Sequence, residues 1–359
     1  MMKIPLGLLA IIAGFLTVAM FTTAGWDLPP TDDVQTGFRG TGMVQIDDRE
    51  QVRLEQAMNQ VPEAPWELDT SGPRAGDVYE NVPVLGDLGE DQFTRLMIAV
   101  TEWVSPEEGC TYCHNPDNLA DDNVYTKIVA RRMFQMTQAI NSGWDAHVAE
   151  TGVTCYTCHR GQPVPEYIWF KDAGAVPSEG MLGYAAGQNT VSIGATSLHT
   201  DPFSALLNDD GEIRVEATQA LPSDHVASIQ DTERTFSLMI HMSEGLGVNC
   251  TYCHNSRVFN DWAESTPQRM TAWFGIQMVR EINQDYLEPL TGVFPEERLG
   301  PLGDVAKTNC TTCHQGVNKP LLGAPMAADY PSLWVPPQSA ALIPGSSGPT
   351  QMSSEVVSE

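Results

Sequence analysis

The sequence predicts a mostly α-helical chain with much irregular backbone, built on a duplicated unit and preceded by one N-terminal transmembrane helix. Three observations predict it. An uncharged apolar run fills residues 4–25. Segments 93–104 and 236–244 lack Pro and Gly and are rich in Leu, Met, Ala and Glu, the composition of helices. The heptad GCTYCHN at 109–115 returns as NCTYCHN at 249–255, the mark of an internal repeat.

The apolar run comes first in the chain. About 20 apolar residues at 1.5 Å rise cross a bilayer core of roughly 30 Å. Lys3 before it and Trp26 after it would leave the rest of the chain outside the cytoplasm; a cleaved signal is the other reading of residues 1–25. Residues 26–85 are Pro- and Asp-rich and read as irregular, with one helix near 48–60.

The repeat organises the rest of the chain. RLMIAVTEWVSPEEGCTYCHN from Arg95 aligns with SLMIHMSEGLGVNCTYCHN from Ser237, and ARRMFQMTQAIN from Ala130 with AWFGIQMVREIN from Ala272. Segments 127–140 and 271–282 are helical by apolar spacing, despite Gly275. The two units span 86–162 and 228–320. The linker 163–227 is rich in Gly, Ser and Ala, and 321–359 reads as an extended or disordered tail.

The 359 residues hold 19 Lys and Arg against 46 Asp and Glu, a net charge of −27. Such a surface repels phosphate backbones and excludes nucleic-acid binding, while favouring basic protein partners. Solubility in a saline habitat is the plainer account of the same charge.

All eight cysteines lie in four C-x-x-C-H motifs: Cys110, Cys113, His114; Cys155, Cys158, His159; Cys250, Cys253, His254; and Cys310, Cys313, His314. Disulfides or four-cysteine zinc sites would use the cysteines but leave the histidines unexplained. C-x-x-C-H is the attachment signal of c-type haem: two thiols add to the two vinyl groups of one haem, and the adjacent His reaches the iron. The motifs therefore predict four covalently bound haem c groups.

Each iron then needs a sixth ligand or an open site. A Met thioether raises the potential and a second His lowers it. Met97 and Met239 share one repeat position, in Leu-Met-Ile. Counting from the matched pairs at Met136 and Met278, Met133 falls on Gly275, so the fourth haem has lost its Met. A Met at helical spacing is otherwise core filler. Arg131, Arg132 and Arg269 are either partners of haem propionates or solvated helix-face residues. His199 and His225 read as surface residues of the linker, and His241 points away from the iron that Met239 would face.

These motifs resemble the tetrahaem cytochrome c subunit of purple-bacterial photosynthetic reaction centres, over about residues 83–320. The resemblance implies three Met/His haems, with Met97, Met133 and Met239 opposite His114, His159 and His254. It implies one bis-His haem, His314 paired with His147, the only His between the first and second motifs. It further implies an electron carrier rather than an enzyme, on the periplasmic side of the bacterial inner membrane. Electrons would come from a soluble basic cytochrome c or high-potential iron-sulfur protein and go to the photo-oxidised bacteriochlorophyll pair. The partners would be the L and M subunits, with H and the surrounding light-harvesting complex. The haem order from the pigment outward would be motif three, four, two, one. Well-known members carry a lipid on an N-terminal Cys; here every Cys is in a haem motif, so the anchor would be the uncleaved helix, or, were it cleaved, the subunit would be held only by its partners. The rival is a membrane-anchored tetrahaem quinol dehydrogenase with bis-His haems, for which His147, His199, His225 and His241 suffice in number, or a haem reductase with an open iron facing Gly275.

Overall fold

The computed structural model describes residues 5–23, 31–35, 43–171, 193–194, 196–198, 201–215 and 228–337. Lys3, Trp26, His199, His225 and the tail from 338 lie outside the described residues.

Helix α1 (Leu6–Thr23) has 18 residues. At 1.5 Å per residue it reaches about 27 Å, short of the roughly 30 Å hydrocarbon core. Among the described residues no helix is long and apolar enough to cross a membrane, so the structure does not support the expected single-pass span. The large described apolar side chains of α1 face outward, Ile11 and Phe15 being 70% and 73% exposed. The hydroxyls of Thr17 and Thr22 donate to the carbonyls of Ala13 and Val18 at 2.8 and 2.9 Å.

Residues 26–85 are less irregular than expected. Strands β1 (Thr31–Gln35) and β2 (Val44–Asp48) pair antiparallel, Thr31 opposite Asp48. Nothing alternates clearly in TDDVQ, and only long-range pairing reveals it as a strand. Asp48 then caps α2 (Arg49–Met58), accepting from the Glu50 amide at 2.8 Å, as an N-cap Asp does. Arg49 closes the corner with a two-pronged pair to Asp32 at 2.6 and 2.9 Å, which holds the Asp32 carboxyl below the usual range. A short α3 (Ala75–Val78) follows.

Four long helices run α4 (Glu90–Val104), α5 (Tyr125–Gly143), α8 (Ile229–Leu246) and α9 (Pro267–Glu281). Between α5 and α8 lie the one-turn α6 (Asp145–Val148) and α7 (Cys155–His159). After α9 comes α10 (Cys310–His314). Helix α8 begins earlier than its apolar pattern suggests because Ser228 and Asp231 form a reciprocal cap: the Asp231 amide donates to Ser228 Oγ at 3.1 Å and the Ser228 amide to Asp231 Oδ2 at 3.0 Å. It ends at Gly247, in the left-handed region at φ 62, where a Cβ would meet the Gly316 carbonyl at 2.0 Å. Pro267 opens α9 at its first turn, where a missing N–H costs nothing.

Three apolar clusters hold these helices. Leu96, Trp103 and Phe134 pack with Leu321, Tyr330 and Leu333. Trp169, Phe203, Leu207 and Leu238 pack with Ile276 and Val279. Ile140 and Trp144 of the first unit meet Met278 and Ile282 of the second. The first cluster corrects the expectation of a disordered tail from residue 321. The 3-10 turns Pro320–Gly323, Met326–Asp329 and Pro331–Leu333 bury Leu321, Tyr330 and Leu333, because their apolar side chains find Trp103 and Phe134.

Candidate haem centres

Each C-x-x-C-H segment makes a single tight turn, and its His is oriented by one hydrogen bond. Nδ1 of His114 donates to Leu119 O at 2.9 Å and Nδ1 of His254 to Phe259 O at 2.8 Å. Nδ1 of His159 donates to Gln162 O at 2.9 Å and Nδ1 of His314 to Val317 O at 3.0 Å. A carbonyl only accepts, so the proton sits on Nδ1 in all four rings. That leaves Nε2 bare for a metal, the arrangement metal-ligating His adopts. His147 does the same through Thr271 O at 2.8 Å. Burial lowers His147, His159 and His254 below the ordinary imidazole range. It takes His314 to about 4, with His147 beside it adding to the effect. These shifts favour the neutral imidazole, the ligating form, in His147, His159, His254 and His314.

The turns repeat in detail. Residues Arg160 and Gln315, just after the second motif of each unit, both take φ 50, and Gly161 and Gly316 follow at 82 and 87. Gly161 N donates to Trp103 O at 2.8 Å on α4, and Gly316 N to Gly245 O at 2.9 Å on α8. Asn141 at the end of α5 donates to Val153 O at 2.9 Å and accepts from Val153 N at 2.7 Å. Asn283, following α9, donates to Thr308 O at 3.0 Å and accepts from Thr308 N at 2.9 Å. Each Asn thereby fixes the backbone two residues before Cys155 or Cys310. Sequence reasoning passed over both Asn, although the shared Ile-Asn of the repeat was the available signal.

A cavity of about 550 Å³ runs between the units, within the size of cofactor sites. Cys155, Cys158, Cys310, Cys313, Cys113 and Cys253 line it, with Met133, His147, His159 and His314. The rings of His147 and His314 stand 6.0 Å apart, centre to centre. Two imidazoles on opposite faces of one metal, each about 2 Å from it, need about that separation. A Cβ at Gly275 would lie 2.5 Å from His147 Cε1, so the residue facing His147 must be Gly. The chain therefore fits the group that the motifs imply.

Of the expected methionines, Met133 lines the cavity. Met97 and Met239 pack half-buried against the first and second apolar clusters. Thr101, one turn beyond Met97 on α4, has its hydroxyl 3.9 Å from Cys110 Sγ, so this face of the helix overlies the first motif. His241 is 3% exposed, its ring 4.6 Å from that of Phe203.

The arginines are held by protein groups. Arg131 donates to Asp122 Oδ2 at 2.9 Å. Arg132, 4% exposed, donates to Asp285 O and lies over the Tyr286 ring at 4.5 Å, which removes the solvated reading for it. Arg269 lies over the Trp262 ring at 3.9 Å.

One finding departs from four independent cysteine pairs: Cys158 and Cys313 are joined as a disulfide, their Cα atoms 4.5 Å apart. Helices α7 and α10 abut, which brings the second cysteine of each motif together. A sulfur bonded to sulfur carries no thioether, so at these two residues only one bond type holds at a time. The zinc alternative finds no donor set: among the described residues no three His, Cys, Asp or Glu side chains converge on a metal position. Burial also keeps Cys155 and Cys310 protonated, up to about 12, and Cys113 and Cys253 up to about 11, whereas zinc binds thiolate.

Comparison with known proteins agrees with this geometry. The profile of the family described as photosynthetic reaction centre cytochrome C subunit matches residues 27–334. The photosynthetic reaction center cytochrome c subunit of Rubrivivax gelatinosus is 51% identical over 339 residues, 93% of this chain and 92% of its own length. That of Thermochromatium tepidum is 49% identical over 89% of this chain and 79% of its own, and that of Roseobacter denitrificans 46% over 90% and 92%. The chain belongs to the cytochrome c subunits of the photosynthetic reaction centre, whose role is electron transfer.

Proposed function

We propose that the chain binds four haem c groups covalently and relays electrons through them, from a soluble periplasmic donor to the photo-oxidised bacteriochlorophyll pair. The observation that supports this most directly is the fourfold recurrence of a His with its Nδ1–H on a backbone carbonyl beside a C-x-x-C pair. When bound, haem supplies a one-electron couple. The protein's part is to hold each ring by thioethers, at Cys110 and Cys113, Cys155 and Cys158, Cys250 and Cys253, and Cys310 and Cys313. It also fixes the axial imidazoles and excludes water with apolar walls. Met97 with His114, Met133 with His159, Met239 with His254, and His147 with His314 would hold the four irons. A chain of one-electron sites needs no acid, base or nucleophile.

The two units 86–162 and 228–320 are read as a duplication, supported by the matched Asn, Gly and His contacts. The thioether reading at Cys158 and Cys313 replaces the disulfide there. Intact mass under non-reducing conditions distinguishes them, since the disulfide would leave two haem sites with one cysteine each.

Helix α1 is assigned as the membrane anchor, with the remainder on the periplasmic side. Its outward-facing apolar surface and self-satisfied threonines suit hydrocarbon. From Thr23 to Thr31 the chain reaches at most about 28 Å. Strand β2 is in turn fastened to the third motif, Asn249 Nδ2 donating to Val44 O at 2.6 Å. The tether thus favours motif three nearest the membrane and its L and M partners, with H and the light-harvesting complex around them. Motif one then faces a soluble basic cytochrome c or high-potential iron-sulfur protein.

The test is a redox titration of the membrane complex with flash excitation and low-temperature EPR. Three Met/His haems, one bis-His haem and haem oxidation after a flash are expected. Uniform bis-His haems without a flash response would favour the quinol dehydrogenase instead; the packing of His241 against Phe203 weighs against that ligand set. A high-spin iron at the fourth motif would favour a reductase.

A further inference from the structure

The first motifs of the two units match closely until one side chain. In both, a Thr at the start of a long helix donates back into the motif: Thr126 to Tyr112 O, and Thr266 to Tyr252 O at 2.6 Å. In both, the haem His donates to the carbonyl five residues on, Leu119 or Phe259. The residue after that Thr is Lys127 in the first unit and Pro267 in the second.

Lys127 is 6% exposed. Its ammonium donates to Leu119 O and to Asp121 O, each at 2.9 Å, and stands 3.3 Å from Asp122 Oδ1. Leu119 O therefore receives two donors, the imidazole Nδ1–H and a cation. Pro267 brings no amine to Phe259 O. Arg269, two residues further, sends its guanidinium to Ser265 Oγ at 2.7 Å and over Trp262.

We propose that Lys127 is a positioning residue that raises the reduction potential of the haem on Cys110, Cys113 and His114; the proposal rests on the four-haem reading. Two effects point the same way. The ammonium draws density from the Leu119 carbonyl, which then accepts less strongly from Nδ1–H and leaves the imidazole a weaker electron donor to iron. A buried positive charge also disfavours the ferric state, which carries one charge more than the ferrous state. Asp122 opposes this from the other side of Lys127, shared with Arg131 at 2.9 Å. Asp121 turns its carboxylate to Asn115 and Asn123.

The experiment is potentiometric titration of the reaction-centre complex carrying Lys127→Met or Asp122→Asn, with haem spectra and intact mass. Lys127→Met is expected to lower one midpoint and leave three unchanged. Its reduced-to-oxidised ratio at fixed potential falls about tenfold, or about 59 mV for one electron. Asp122→Asn removes the opposing charge and is expected to raise the same midpoint. Opposite signs are what charge predicts and loosening of a loop does not. Unchanged midpoints with all haems retained would overturn the proposal, as would a fall in both variants. A wild-type mass without haem on the Cys110–Cys113 peptide would instead overturn the haem reading beneath it.

Discussion

Gly275 and His147 compete for one volume: any side chain on the glycine would come within 2.5 Å of the imidazole. The glycine stands where the first unit has Met133 on the matching helix. In the proposed ligand set, the Gly that replaces one thioether is the residue that leaves room for the imidazole. Gly275→Ala is expected to displace His147 while leaving α9 intact, since Ala favours helix. EPR should show one bis-His signature lost and the others kept. His147→Met should keep a low-spin haem and raise its midpoint, because thioether favours the ferrous state. An unchanged spectrum in Gly275→Ala would remove His147 from the ligand set.

Asn141 and Asn283 each close a loop onto the second motif of their unit. Asn141 also donates to Leu333 O, and Asn283 to Leu207 O at 2.8 Å. Truncation strands several buried backbone groups at about 1–3 kcal/mol apiece. Asn141→Ala and Asn283→Ala are each expected to destabilise the protein by about 3 kcal/mol, read as a shift in denaturant midpoint. Asn→Asp at either position should destabilise as well, because it replaces the donor by an acceptor facing a carbonyl.

Asp122 gives a pH test that needs no haem readout. The Arg131 guanidinium bonded to it, helped by Asn81 and Lys127, holds its carboxyl at about 2. A carboxyl lowered on folding stabilises the fold fully above its unfolded value near 3.8. That contribution is lost as pH falls from there toward 2. Hydrogen exchange in residues 115–124 should accelerate over that window. Asp122→Asn should flatten the dependence.

The acidic surface predicts the response to salt. If a basic carrier docks on a chain of charge −27, its bimolecular rate after a flash should fall steeply as ionic strength rises and the Debye length shrinks from about 30 Å at 0.01 M to about 10 Å at 0.1 M. A rate insensitive to salt would assign the charge to solubility.

The sequence showed some parts of this protein far better than others, for physical reasons. C-x-x-C-H is fixed by covalent chemistry over five residues, so it reads without knowledge of the fold. The long helices showed through their apolar period, although α8 began earlier because its Ser228–Asp231 cap precedes the apolar pattern. Strand β1 was illegible because TDDVQ carries no local strand signal and exists by pairing with Val44–Asp48. The role of Lys127 was hidden likewise: a Lys at a helix start is ordinary until the Leu119 carbonyl folds over it. His241 went to the core because Phe203, distant in sequence, packs on it. The Cys158–Cys313 pairing arises from the packing of α7 on α10, which no single motif encodes.

The last described turns bear on how the chain is made. Arg95 donates to Asp329 O at 2.6 Å, Gln138 to Ser332 O at 3.1 Å and Asn141 to Leu333 O at 2.9 Å. Gly152 leaves room for the Trp334 ring, which a Cβ would strike at 2.6 Å. Helices α4 and α5 are thus sealed by residues made almost two hundred positions later. Their packing cannot be complete until the chain has been synthesised through Trp334, and contacts of such sequence separation form slowly.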